Sequence, residues 1–218
     1  MSAARPSYRR FDSECRDCPR LAAFLRSVRH DHPDYHAAPV APFGDPNARL
    51  LIVGLAPGLH GANRTGRPFT GDYAGVLLYR TLHQYGFASA ASSTARDDGL
   101  HLHGCRITNA VKCVPPQNKP ETSEVRGCNR YLATELAELA SGSAILALGT
   151  IAHRAVLLAL ALRAVDYPFA HGAQHRLPDG RLLFDSYHCS RYNTQTNRLS
   201  AAMFEAVFTS IAAHLEAS

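Results

Sequence analysis

The sequence predicts an α/β fold in three layers, with a central, mainly parallel four-stranded sheet between helices. Three observations point there. Short β-branched apolar runs alternate with stretches of helical length and spacing. Each run stops at a glycine, an amide or a short polar loop rather than continuing into its neighbour. The chain has 218 residues and is 46% hydrophobic, enough to bury one sizeable core over residues 1–218.

Taken in order, Leu50 to Val53 is a buried-strand run ending at Gly54. A helix is expected from about Tyr73 to Tyr85, closed by Gly86. Arg106 to Val111 forms the next strand, followed by a helix capped by Thr122 or Ser123 and running to about Leu139. Ala144 to Leu148 is the third strand, and Thr150 caps a helix to about Arg163. Leu182 to Tyr187 is the fourth, followed by a helix from about Thr196 to Leu215. The Ser-, Ala- and Asp-rich segment from Ala88 to Gly104 reads as a mobile excursion without chemistry of its own.

Charge narrows the function. The net charge is +5, and among 23 basic residues only Lys112 and Lys119 are lysines. Arginine forks suit bidentate phosphate contact. The N-terminus carries Arg5, Arg9, Arg10 and Asp12 with no apolar h-region, so a secretory signal is not expected. The longest apolar run, Ala155 to Leu162, is too short for a membrane span. Six cysteines in such a chain point to a reducing compartment, so the cytoplasm is the expected location.

In a parallel α/β sheet, ligands bind beyond the carboxyl ends of the strands. Two irregular loops fall at that edge. One runs from Gly54-Leu55-Ala56-Pro57-Gly58 through Gly61-Ala62-Asn63-Arg64-Thr65-Gly66-Arg67-Pro68-Phe69-Thr70-Gly71-Asp72; the other is His188-Cys189-Ser190-Arg191-Tyr192-Asn193 and beyond. Asn109, near the end of the second strand, joins them. Cys15-x-x-Cys18 with Cys113 and Cys128 makes a four-thiolate set that by spacing suits either tetrahedral zinc or a [4Fe–4S] cluster. Cys105 and Cys189 have no partner by spacing and are expected to be core thiols.

These motifs, together with Thr108-Asn109-Ala110-Val111-Lys112-Cys113-Val114-Pro115-Pro116, resemble those of the family 5, or type-b, uracil-DNA glycosylases. The resemblance runs from Cys15 to the last helix. It implies a uracil-DNA glycosylase-like fold and a monofunctional enzyme that flips uracil, and other deaminated bases such as hypoxanthine, out of DNA and hydrolyses the N-glycosidic bond to start base excision repair. It favours a [4Fe–4S] cluster on Cys15, Cys18, Cys113 and Cys128, tying in the N-terminal segment. The implied base pocket is Gly54, Ala56, Phe69, Asn109 and His188. Within it Phe69 stacks the base, Asn109 reads its O4 and N3–H edge, and His188 donates to O2. The related family 4 carries Glu where this chain has the inert Leu55, so Asp72 is the implied carboxylate for water or the sugar cation, with helix capping as its structural role. Arg191, Tyr192 and Asn193 are expected to wedge into the minor groove, and Asn63, Arg64 and Arg67 to face the DNA.

The expected partner is double-stranded DNA containing uracil, with single strands a second candidate, and neither a membrane nor an obligate protein partner is implied. A non-catalytic, metal-stapled nucleic-acid-binding module would explain the charge and cysteines, but not three polar motifs in one crevice. A phosphate-binding α/β hydrolase would explain the glycines, but the loop lacks the Gly-x-x-x-x-Gly-Lys pattern.

Overall fold

The computed structural model describes residues 10–217, so the expectations for Arg5 and Arg9 lie outside the described residues. Four parallel strands form the middle of the sheet: β2 (Leu50–Gly54), β3 (Cys105–Asn109), β4 (Ala144–Leu148) and β6 (Leu182–Ser186). Every residue of β2 and β4 is buried, as expected for strands covered on both faces. Leu50 pairs with Cys105 on one side and Ala144 on the other, and Ala144 pairs in turn with Leu182.

The sheet has six strands, not four. Two short antiparallel strands close its edges, β1 (Phe43–Gly44) on β3 and β5 (Gln174–Arg176) on β6, giving the order β1-β3-β2-β4-β6-β5. Neither edge strand is long or apolar enough to leave a period in the sequence. Gly44, at φ 125°, is required in β1, because a Cβ there would sit 2.3 Å from the Cys105 carbonyl oxygen.

Helices cover both faces. On one, α3 (Tyr73–Gln84) and α7 (Ala201–Glu216) pack a core around Leu78, Tyr79, Phe184, Phe204 and Phe208. On the other, α4 (Thr122–Ala137) and α5 (Thr150–Ala159) cover Leu51, Val53, Ile145 and Leu183. The helix α1 (Pro19–Asp31), which follows Cys18 directly, buries Leu21, Leu25 and Val28, and the one-turn α2 (Ala62–Thr65) lies within the first motif loop.

Several boundaries differ from expectation for local reasons. Glu121, not Thr122 or Ser123, is the cap of α4, and the Glu124 carboxylate accepts its backbone N–H at 2.7 Å. Gly149, not Thr150, precedes α5, which ends at Ala159 because Ala161 turns to φ 55°. The expected last helix begins five residues later, at Ala201, and a separate short helix precedes it. Ser190 caps α6 (Arg191–Gln195), Ser200 caps α7, and Asn197 at φ 55° breaks the chain between them.

The segment from Ala88 to Gly104 is not a loose excursion. Ala88 and Leu102 form a β-bridge, Ser89 N–H donates to the His101 carbonyl at 2.9 Å, and Leu100 and Leu102 are buried in the α3–α7 core. It braces the first motif loop, since Gly71 N–H donates to the Ser93 carbonyl and the Thr70 and Ser93 hydroxyls lie 2.7 Å apart.

Candidate active site

The carboxyl ends of β2, β3 and β6 deliver the three motifs to one cleft of about 470 Å³, whose lining includes Ala56, Phe69, Asp72, Asn109, His188 and Arg191. Close approach of the backbone sets its floor. A Cβ on Gly54 would lie 2.4 Å from Asn109 Oδ1 and 2.7 Å from Phe69 Cζ, so only glycine lets the amide and the ring share this space. Gly61 does the same for Asp72, whose Cβ would be 2.4 Å away.

Asn109 is buried, and its Oδ1 has no hydrogen-bond partner among the described residues. A buried acceptor left without a partner costs roughly 1–3 kcal/mol, so this oxygen faces a place where a donor can be bound. Phe69 is also buried and sits at φ 55°, a left-handed conformation rare for an aromatic residue. The following turn makes this possible, because the Phe69 carbonyl lies against Gly75, where a Cβ would come within 1.9 Å. Such strain gathers at functional sites.

The His188 ring stacks near Phe69, with centroids 5.8 Å apart and planes 26° from parallel. Burial lowers its pKa to about 4, so the imidazole is neutral at physiological pH and has one N–H to donate. Asp72 is the N-cap of α3, its Oδ1 accepting from Gly75 N–H at 2.9 Å. Burial raises its pKa, and the backbone hydrogen bonds from Gly75 and Ala74 partly oppose that. Capping occupies Oδ1, whereas Oδ2 faces the glycine loop, where a Cβ on Gly58 would lie 3.7 Å away.

The rim divides into outward and inward residues. Arg64 is exposed, with its Nε on the His60 carbonyl at 2.9 Å. Arg191 is exposed over the Tyr73 ring at 5.0 Å, and Tyr192 is 71% exposed. Two expected DNA contacts, Arg67 and Asn63, need correction, and Asn193 gains a second role. Arg67 is only 5% exposed; its guanidinium pairs with Asp98 at 2.6 Å, reaches Ser93 and the Arg96 carbonyl, and stacks over Phe43. It therefore clamps the segment around Asp98 to the motif loop. Asn63 is fully buried, bonded through its backbone to Gly58 and Ala37. The Asn193 amide donates to the His188 carbonyl at 2.8 Å, which makes it a support for His188.

Cys15, Cys18, Cys113 and Cys128 line one small cavity between α1, the Val111–Cys113 segment and α4. Burial first, and the neighbouring thiols next, push Cys18 up to about 11 and Cys113 upward as well. Lys112 N–H donates to Cys128 Sγ at 3.2 Å, and Arg130 Nη2 lies 3.7 Å from Cys15 Sγ. Cys105 and Cys189 are buried in the α3–α7 core, away from that cavity.

The sequence reading missed the support behind Asn109. Lys112 is buried, and its Nζ donates to the Asn109 carbonyl at 2.9 Å, to Glu135 Oε1 at 2.6 Å, and to the Thr108 hydroxyl. The one available signal was that one of the chain's two lysines stands inside a motif.

A family model described as "Uracil DNA glycosylase superfamily" matches residues 41–212. A type-5 uracil-DNA glycosylase of Thermus thermophilus is 50% identical over 195 residues, covering 87% of this chain and 89% of its own. One from Pyrobaculum aerophilum is 41% identical over 203 residues, covering 91% and 88%. A type-4 uracil-DNA glycosylase of Thermotoga maritima is 34% identical over 110 residues, about half of each chain.

Proposed function

This chain belongs to the uracil DNA glycosylase superfamily, and on that premise we propose that its cleft takes a uracil nucleotide flipped out of DNA and hydrolyses the bond between the base and C1′. The protein is a uracil-DNA glycosylase acting in DNA repair. The observation that carries the reading of the cleft is Asn109 Oδ1, without a partner among the described residues, set beside Phe69 and within the same cleft as Asp72 and His188.

In this reading Asn109 Oδ1 accepts from uracil N3–H while its amide nitrogen donates to O4. Phe69 stacks the base, with Gly54 and Ala56 leaving room for it. Water adds at C1′ as the C1′–N1 bond breaks; the electron pair leaves with the base, and the proton shed by the water passes to solvent, from which the uracil anion is reprotonated. The neutral His188 donates its N–H to O2, where negative charge gathers. Ionised Asp72, through the oxygen not used in capping, orients the water or faces the positive charge developing on the sugar. Arg191 and Tyr192 occupy the space left in the duplex, and Arg64 contacts a phosphate. The small number of polar groups reading the base leaves room for hypoxanthine. Double-stranded DNA is the proposed substrate form, since a wedge has a function only there.

Four convergent thiols, two of them approached by N–H donors, fit a [4Fe–4S] cluster, which would be held by Cys15, Cys18, Cys113 and Cys128. When bound it would offset part of the thiolates' charge and tie the segment before α1 to α4. Among the described residues no helix is long and apolar enough to cross a membrane.

The test is a panel of duplexes and single strands carrying uracil, hypoxanthine or an alkylated base, scored for abasic sites and released base. Release of free uracil is expected; binding without release would favour the non-catalytic reading.

A further inference from the structure

Asp185 lies in the middle of β6 and is fully buried, where an ionised carboxylate is costly without a cation. Its ion-pair partners among the described residues are two histidines. His153 of α5, also buried, places Nδ1 2.8 Å from Oδ1, and His175 of β5 places Nε2 3.3 Å from Oδ2. One donor atom from each of the three residues lies within 4.8 Å of the others.

The tautomer of His153 is set from behind. Its Nε2 lies 2.9 Å from the Tyr167 carbonyl, which can only accept, so Nε2 carries the hydrogen. In the neutral ring Nδ1 then aims a lone pair at a carboxylate oxygen, and His175 Nε2 can aim a second at the other. A proton on His153 with the Nε2–H tautomer of His175 satisfies both contacts without a metal, and a divalent cation satisfies both by taking the two lone pairs. An imidazole whose other N–H is bound to a backbone carbonyl is the usual outer arrangement of a metal-ligating histidine. Phe169 and Tyr167 wall the trio, with ring centroids 5.5 Å from His153 and 5.8 Å from His175, and His175, 13% exposed, gives an ion its way in.

We propose that His153, His175 and Asp185 form a second metal site, separate from the cysteine set, that binds zinc. Two imidazoles and a carboxylate form a donor set that zinc takes readily. The ion would join α5, β5 and β6, and β6 runs on within three residues to His188, so the site braces the third motif from behind. The proposal does not depend on which base the cleft accepts.

The experiment uses the full chain, desalted, incubated with zinc chloride and desalted again, with zinc and iron counted together. Wild type is expected to hold one zinc per chain, with an X-ray absorption shell of nitrogen and oxygen at about 2.0–2.1 Å and a melting temperature raised by zinc. Asp185→Asn should lose the zinc. Because that buried change could unfold the chain, His175→Gln on the edge strand is the second variant, expected to lose the zinc and the zinc-dependent rise in melting temperature while the metal on the cysteines stays. No zinc on the wild type at saturating zinc, a sulfur shell at about 2.3 Å, or zinc retained by His175→Gln overturns the proposal.

Discussion

Replacing Gly54 with alanine tests the geometry of the cleft with a single methyl group. The added Cβ would stand 2.4 Å from Asn109 Oδ1 and 2.7 and 2.8 Å from two atoms of the Phe69 ring. Against ordinary contacts of about 3.5 Å, the amide must withdraw by about 1 Å and the ring by about 0.7 Å. β2 cannot yield instead, because it is buried and paired on both sides by β3 and β4. Misplacing a positioning group by about 1 Å costs on the order of 10²-fold in rate, or about 2.7 kcal/mol of transition-state stabilisation. Overpacking should cost about 1–3 kcal/mol of stability as well. The assay is single-turnover excision of uracil with saturating enzyme, so that product release does not mask chemistry, run beside a urea melt and a binding titration with undamaged duplex. Excision should fall on the order of 10²-fold while undamaged DNA binds as before. A folded Gly54→Ala variant that excises uracil within about threefold of wild type would refute the assignment of Asn109 and Phe69 to the base pocket.

Asp72→Asn should slow excision of every substrate base by about 10²–10³-fold yet leave stability nearly unchanged, because asparagine caps a helix as well as aspartate does; an unchanged rate on both uracil and hypoxanthine would reduce Asp72 to a cap. Since burial raises the Asp72 pKa, wild-type excision should decline with falling pH sooner than an ordinary carboxylate would dictate, and that acid limb should vanish in Asp72→Asn. Burial depresses the folded-state pKa of His188 to about 4, so the unfolded chain takes up this proton first; the associated stability is full above about pH 6.5 and is lost as pH falls toward 4. Denaturant melts across that range should show His188→Gln with a shallower acid slope. Phe69→Ala should cost about 1–3 kcal/mol of stacking in the flipped complex, read as weaker binding to a duplex carrying a non-cleavable uracil analogue. Cys18→Ser should lose the metal and much of the fold, whereas Cys105→Ser should keep both, checked by metal analysis and circular dichroism.

The central four strands and the crevice at their carboxyl ends were legible in the sequence because buried parallel strands write continuous apolar runs, and the loops after them carry glycine and polar groups close together in the chain. The cysteine set was legible for the same reason, since a Cys-x-x-Cys pair and two further thiols are chemical facts that need no coordinates. Direction was not legible. Arg64 and Arg67 are three residues apart in one loop, yet one faces solvent and the other turns inward to Asp98, a partner far along the chain in a segment that composition alone marks as empty. That the Asn193 amide also rests on the His188 carbonyl is visible only in the structure. Lys112 with Glu135, and Asp185 with His153 and His175, likewise join residues from separate elements. Local sequence determines which groups are available and where strands and loops fall. Which of those groups meet depends on sheet register and helix packing, and these are set by contacts between residues far apart in the chain.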